Sequence, residues 1–278
     1  MILVTGATGN VGGELVRQLA EAGQPVRALT RGDAQGGFPP GVQPVSGDLN
    51  DPASLRPALH GATGVFLLPG YADMTGVLAE ARQAGVAKVA QLSGSSAGTG
   101  DLDNAVTRYM IHTEEAVRAS GLAWTILRPM AFMSNTLQWL PQLNAGDVVR
   151  APFAYVRAAV TDPADIAAVA ALALTEDGHE GRVYPVSGPE PLAPADRLAI
   201  LGRVLGRSLR FQAQPDDEAR AEMSAAMPAE YVDAFFRFYA DGTLDESVVW
   251  PTVRDLTGRP PRTFEQWATA HAEMFAPA

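Results

Sequence analysis

The chain has 278 residues, 47% of them hydrophobic, a formal net charge of −10 and no cysteine. That length is enough for one domain with an appended lobe, or for two domains. The lack of cysteine excludes disulfides, thiolate metal sites and cysteine nucleophiles, and the acidic balance argues against a broad nucleic-acid surface. No apolar run reaches bilayer length, and no leader is expected ahead of the first strand. These features predict a cytoplasmic protein with neither membrane nor nucleic acid as a partner.

Met1–Thr5 reads as a strand, and it runs into the glycine turn Gly6-Ala-Thr-Gly9-Asn-Val-Gly12. An amphipathic stretch follows, with Val11, Leu15, Val16 and Leu19 on one face. A strand, a glycine turn and a helix in this order build an anion site. Gly6 permits the tight turn, Gly9 lets the backbone approach a pyrophosphate, and Gly12 lets the helix pack close to the strand. The N–H groups at the helix start then face the phosphates, so Gly6, Thr8, Gly9, Asn10, Val11 and Gly12 are cofactor-binding candidates.

Pro25–Thr30 reads as strand two and leaves through Thr30-Arg31-Gly32-Asp33. Arg31 is placed to meet a ribose 2′-phosphate by charge and paired hydrogen bonds, which favours NADPH over NADH. Asp33 lies near the spacing of a ribose-diol ligand and keeps NAD open. Val42–Val45 is a short third strand, followed by Gly47-Asp48-Leu49. Asp48 either accepts a hydrogen bond from the adenine amino group or caps the helix read over Pro52–Leu59. Gly64–Leu68 is strand four; Leu68 and Pro69 either pass beneath the cofactor through backbone contacts or form a plain loop exit. Met74–Ala84 is helical, Val86–Leu92 is strand five, Asn104–Ser120 is a long helix and Ala123–Leu127 is strand six. This alternation predicts an α/β fold: a parallel sheet with helices on both faces and right-handed crossovers.

In the second half, Asp162-Pro163-Ala-Asp165 is a helix start, with Asp162 as N-cap and Pro163 in the first turn. Arg182–Val186 returns to the sheet as a seventh strand. Pro194–Leu205, Asp216–Ala226, Pro228–Tyr239 and Thr263–Phe275 read as helices of a small C-terminal lobe over the cofactor mouth. The expected division is a dinucleotide-binding core of residues 1–128 joined by 160–187, and a substrate-binding lobe of 129–159 and 188–278.

Several runs together carry a family likeness: Val4-Thr-Gly6-Ala-Thr-Gly9-Asn-Val-Gly12, Arg31, Gly47-Asp48-Leu49 and Leu92-Ser93-Gly-Ser95-Ser96. Ser120-Gly-Leu-Ala-Trp124-Thr-Ile-Leu-Arg128-Pro129 is the most specific, and Asp162-Pro-Ala-Asp165, Ser187-Gly188-Pro189-Glu190 and Leu256-Thr-Gly258-Arg259 extend it. The chain resembles the NmrA-like branch of the atypical short-chain dehydrogenase/reductase superfamily, in its quinone-reductase-like form. The resemblance implies a Rossmann-type core, an NAD(P)H site and a C-terminal substrate lobe. It implies less about chemistry, because the branch holds both reductases and cofactor-sensing regulators.

Short-chain reductases usually pair a tyrosine with a lysine four residues later, the lysine lowering the tyrosine pKa. Lys88 is the chain's single lysine and sits at the start of strand five, the sheet end opposite a cofactor. Tyr109 is followed by Thr113, and the family pattern places the pair nearer Val106 and Met110. The candidate catalytic residues are therefore Tyr109, His112 and Ser93. Tyr109 and His112 share a helix face, as a proton-donating pair or as a solvated one. Ser93 and Ser95 either hold a substrate carbonyl or satisfy loop backbone groups. Arg128 ends strand six, which in the family passes near the nicotinamide. Met130, Phe132, Met133, Asn135 and Trp139 next to it suit a flat substrate pocket or core packing. His60, His112, His179 and His271 form no ligand motif, so no metal is expected.

A missing tyrosine–lysine acid matters least when the reduced product is a delocalised anion. The sequence therefore predicts hydride transfer from NAD(P)H to a quinone or to an aromatic or conjugated carbonyl substrate. The alternative is a non-catalytic redox sensor that binds a protein partner. A monomer or a homodimer is expected.

Overall fold

The structure is a computed structural model that describes residues 1–32 and 37–276. In chain order, β1 (Ile2–Val4), α1 (Asn10–Glu21), β2 (Val26–Thr30) and β3 (Gln43–Ser46) lead to a 3-10 turn at Pro52–Leu55 and α2 (Arg56–Leu59). Then come β4 (Gly64–Leu67), α3 (Met74–Gln83), β5 (Lys88–Leu92), α4 (Ala105–Ala119) and β6 (Ala123–Pro129). The second half holds α5 (Leu140–Ala145), β7 (Val148–Ala151), α6 (Pro163–Thr175), β8 (Arg182–Val186) and α7 (Pro194–Leu205). It closes with β9 (Arg210–Ala213), α8 (Asp216–Ala226), α9 (Ala229–Tyr239), α10 (Thr252–Thr257) and α11 (Phe264–Ala270).

Seven strands form one parallel sheet in the order β3-β2-β1-β4-β5-β6-β8. The fold is thus the expected Rossmann-type one, with β8 as the seventh strand. Val4 pairs with Ala28 on one side and Phe66 on the other. The order reverses between β1 and β4, and ligands bind such sheets at the carboxyl edge near that reversal. The central strands are apolar on both faces because helices cover both. On one face α1 and α6 bury Val4, Leu15, Phe66 and Ile166; on the other, α2, α3 and α4 bury Leu3, Val65, Leu78 and Val117. Helix α6 is apolar nearly all round, as a helix enclosed between α1, the sheet and α10 must be. The Asp162 side chain caps it by accepting from Ala164 N at 2.8 Å.

Some expected elements differ in detail. The helix read over Pro52–Leu59 is split into the 3-10 turn and α2, because Pro57 supplies no N–H and its ring crowds the preceding turn. The helix read over Thr263–Phe275 is α11 followed by a 3-10 turn at Ala272–Phe275, with His271 off helical geometry between them. Strands β7 and β9 form a separate parallel pair that four-residue runs do not announce.

The lobe has its own core, in which Met133, Trp139, Leu201, Phe264 and Trp267 are buried. It is stapled back to the sheet layer. Val253 of α10 is buried in the α1–α6 core. Asp165 of α6 accepts from Arg259 Nη1 at 2.6 Å and from the Arg262 backbone N–H at 2.7 Å.

Candidate active site

At the β1–α1 turn the site is made of backbone. Gly6 has φ +60°, open to glycine at little cost. A Cβ on Gly12 would stand 2.2 Å from the Gly6 carbonyl oxygen, so only glycine lets α1 come this close. Gly9 is the N-cap, no side chain caps α1, and its first turn holds no acidic residue. The first N–H groups of α1 therefore remain free, at the positive end of the helix dipole. These residues fit the pyrophosphate of a dinucleotide.

The flanking candidates are less uniform. Arg31 is exposed just past β2, and Asp33 lies outside the described residues. Asp48 does not cap the turn at Pro52. Its Oδ1 accepts from Asn50 N at 2.9 Å and Asn50 Nδ2 at 3.2 Å, and Asp51 takes the N-cap position. Leu49 is 5% exposed and packs in the core, so only its backbone can face a ligand. The Leu68 N–H donates to Thr5 Oγ1 at 3.1 Å, and its side chain lies against Gly6. Pro69 follows it, half-buried.

At the carboxyl ends of β5 and β6 the site is made of side chains. Glu114 of α4, its side chain 4% exposed, accepts from Ser93 Oγ at 2.7 Å. Arg128 grips the same carboxylate with Nε at 2.8 Å and Nη2 at 2.7 Å, and Arg118 adds a contact at 3.2 Å. Burial opposes the charge, yet the hydrogen bonds from Arg128 and Ser93 outweigh it and hold the carboxyl below the ordinary glutamate value. Ser93 and Arg128 were both expected at the site. The structure brings them together, with the Ser93 proton committed to Glu114.

A second buried carboxylate joins the core to the lobe. Glu246 Oε1 accepts from Ser95 Oγ and from the Ala131 backbone N–H, both at 2.9 Å, and its Oε2 accepts from the Tyr239 hydroxyl at 2.9 Å. Burial pushes Glu246 above the ordinary glutamate range. Tyr239 is pushed well up by burial and by the neighbouring carboxylate.

The chain matches a family model described as NAD(P)H-binding over residues 6–177. Two relatives match it along their full length and its own. One is the (4-alkanoyl-5-oxo-2,5-dihydrofuran-3-yl)methyl phosphate reductase of Streptomyces griseus, 45% identical over 100% of both chains. The other is the NAD(P)H azoreductase of Xenophilus azovorans, 37% identical over 100% of both. The chain belongs to the NAD(P)H-binding family as an NmrA-like reductase. A solved NADPH-dependent quinone oxidoreductase from Escherichia coli, complexed with NADPH, superposes on the reductase with a TM-score of 0.77. It is 25% identical, and the match covers 97% of this chain and 99% of that one. The full-length reductase relatives set aside the non-catalytic sensor.

Tyr109 of the reductase is half-buried, its ring 3.3 Å from where a Cβ on Gly70 would stand, at the loop after β4. Burial first, and then Tyr231, raise its pKa. His112 is exposed and makes no hydrogen bond to Tyr109. The methyl group of Met110 reaches within 3.5 Å of the Cβ position of Gly94, filling with an apolar tip the place where the family pattern puts a lysine. Lys88 opens β5 at the opposite edge and pairs with Asp177 at 2.7 Å.

Of the predicted substrate pocket, Met133 and Trp139 lie in the closed core of the lobe, and Met130 is also buried. As core packing they shape the lobe rather than line an opening. Phe132 is half-buried and Asn135 exposed. Sequence reasoning missed Glu114, Glu246, Tyr239 and Arg197. Only Glu114 left a signal: it sits on the buried face of α4 in register with Thr107 and Val117. Arg197 of α7 lies over the Trp139 ring, its ζ carbon 5.5 Å from the ring centroid.

Proposed function

We propose that the reductase acts on conjugated acceptors, a quinone or an alkene conjugated with a carbonyl, and does so without a tyrosine–lysine acid. NAD(P)H held at the Gly6–Gly12 cradle supplies a hydride. The observation that carries the reading is the state of Tyr109: no lysine faces it, and burial pushes its pKa up instead of down. A hydroxyl in that state is a neutral hydrogen-bond donor and a weak acid. Reduction of an isolated ketone produces a strongly basic alkoxide and needs a good acid. A conjugated acceptor leaves an anion spread over carbonyl oxygens, which Tyr109 can steady by donating one hydrogen bond while water supplies the proton.

The acceptor class named for the Streptomyces griseus relative fits this requirement. Its dihydrofuranone double bond is conjugated with both the lactone carbonyl and the alkanoyl group. Hydride at the ring carbon bearing the methyl phosphate leaves negative charge shared between two carbonyls. On this reading residues 129–159 and 188–278 supply the acceptor-binding lobe, with Phe132 and Asn135 at its mouth. Arg31 meets the 2′-phosphate and makes NADPH the preferred cofactor, and Asp48 accepts from adenine through its remaining oxygen.

The test is oxidation of NADPH and NADH, followed at the reduced-nicotinamide absorbance, against quinones, alkanoyl dihydrofuranones and simple ketones. Turnover with conjugated acceptors and none with simple ketones is expected. Turnover confined to simple ketones would overturn the reading. Arg31→Ala should cut the NADPH-over-NADH preference about tenfold, the worth of one charge-assisted contact.

A further inference from the structure

Arg197 stands apart from the other arginines. Among the described residues, each of the others is either bonded to a protein group or exposed to solvent, whereas the Arg197 side chain is half-buried and bonded to none. Its Nε is sealed from solvent with no hydrogen-bond partner. No carboxylate pairs with it among the described residues. The nearby acid, Glu246, spends its oxygens on Ser95, Ala131 and Tyr239. Burial lowers the Arg197 pKa, and the nearby Tyr239 and Glu246 offset it only in part, without bonding to it. A guanidinium cannot shed its proton at neutral pH, so one that is partly buried with a shielded, unpartnered Nε is a favourable place for an anion.

Its position says where that anion belongs. The guanidinium lies over the Trp139 ring, an arrangement that orients the planar fork; of its nitrogens only Nε is both shielded and unpartnered. Glu246, whose charge it feels, is tied to Ser95 and Ala131 just past the carboxyl ends of β5 and β6, and the neutral Tyr239 hydroxyl donates to its other oxygen. Arg197, on α7 of the lobe, therefore lies near the Glu246 link between the lobe and the carboxyl edge of the sheet. The pyrophosphate cradle is a different place, at the start of α1. In a chain of net charge −10, an anionic substrate meets general repulsion, and a local cation must overcome it.

We propose that Arg197 is the anion anchor of the acceptor site and holds a phosphate monoester carried by the substrate on an arm off its conjugated ring. Phosphate suits a planar, two-pronged donor better than a neutral polar group does. For the rest of the substrate the inference rests on the conjugated-acceptor reading above.

The experiment compares an alkanoyl dihydrofuranone methyl phosphate with its free hydroxymethyl analogue, under saturating NADPH so that the cofactor's own phosphates are already bound. In the wild type the phosphate should raise kcat/KM about tenfold to a hundredfold, mainly through KM, as expected for a charged hydrogen-bonded contact. Arg197→Gln should collapse that ratio toward one, and Arg197→Lys should retain part of it. A titration calorimetry arm reads methyl phosphate binding to the NADP⁺-saturated protein, expected for the wild type and lost in Arg197→Gln. If neither dihydrofuranone turns over but methyl phosphate binds and Arg197→Gln abolishes it, the anchor stands and the conjugated-acceptor reading fails. A wild-type ratio near one with no methyl phosphate binding overturns the anchor without any variant. So does a high ratio that survives in a folded Arg197→Gln protein.

Discussion

Along the carboxyl edge of the sheet, β1 and β2 present backbone, whereas β5 and β6 present side chains. The Gly6–Gly12 turn brings main chain close and leaves the first N–H groups of α1 uncapped; the edge beyond β5 holds two buried carboxylates, each collecting several donors. The two carboxylates differ in turn. Glu114 is gripped by arginines and held below the ordinary glutamate range, while Glu246 has hydroxyl and N–H partners and is pushed above it. The first locks its charges inside the core. The second ties core to lobe through uncharged donors, and a cation on the lobe is left over.

The largest effect should come from breaking the backbone side. Gly12→Ala puts a methyl group 2.2 Å from the Gly6 carbonyl, and that obstacle is main chain rather than a movable side chain. The helix start must shift, so NADPH affinity should fall on the order of a hundredfold or more, with about 1–3 kcal/mol of lost stability from overpacking. Fluorescence titration of the cofactor and thermal melting read the two effects. A Gly12→Ala protein that binds NADPH like the wild type would mean that α1 has slack the structure does not contain.

The carboxylate side sharpens through a matched pair of substitutions. Glu114→Gln removes the charge that compensates Arg128, and breaking a buried pair in this way costs about 3–5 kcal/mol. Glu246→Gln keeps an acceptor oxygen for Ser95 and Ala131 and should cost only about 1 kcal/mol. The pH dependence should have opposite signs. The lowered pKa of Glu114 contributes stability that is present above the ordinary glutamate pKa and is lost as pH falls through the folded value. The penalty of Glu114→Gln therefore shrinks on acidification. The raised pKa of Glu246 contributes stability that is complete at low pH and is lost as pH rises through the folded value. Relative to the wild type, Glu246→Gln therefore gains as pH rises. Melting curves across the acid range test both, and slopes of the same sign would erase the distinction.

The same contrast explains what was legible in the sequence. The glycine turn could be read because its constraint is local: Gly6, Gly9 and Gly12 meet within one turn of chain. The seven sheet strands could be read because apolar runs alternate with helical ones at regular intervals. Pro57 broke a helix that periodicity alone extended. Strands β7 and β9 were missed because four residues show no period. Glu246 sits in Asp245-Glu246-Ser247, a polar run that reads as surface loop; its burial comes from Ser95 and Ala131, more than a hundred residues away in the chain. Arg197 likewise reads as the polar face of a helix, and only Trp139, brought against it by the lobe core, shows otherwise. Side-chain networks assembled from distant segments have no local pattern to read.

The smallest effect concerns the proton. Tyr109 keeps a neutral hydroxyl because burial raises its pKa and no cation opposes that shift. If it only steadies a delocalised anion, Tyr109→Phe removes one neutral hydrogen bond, worth about 0.5–1.5 kcal/mol, or roughly a threefold to tenfold loss in kcat with a quinone or alkanoyl dihydrofuranone. The pH profile of kcat should keep its shape, since the lost group does not titrate in the working range. An essential general acid would behave differently: its removal costs about a hundredfold to ten-thousandfold and flattens one limb of the profile. Measuring kcat for Tyr109→Phe across pH separates the two outcomes. The larger loss would mean that the reductase activates its tyrosine by some group other than lysine.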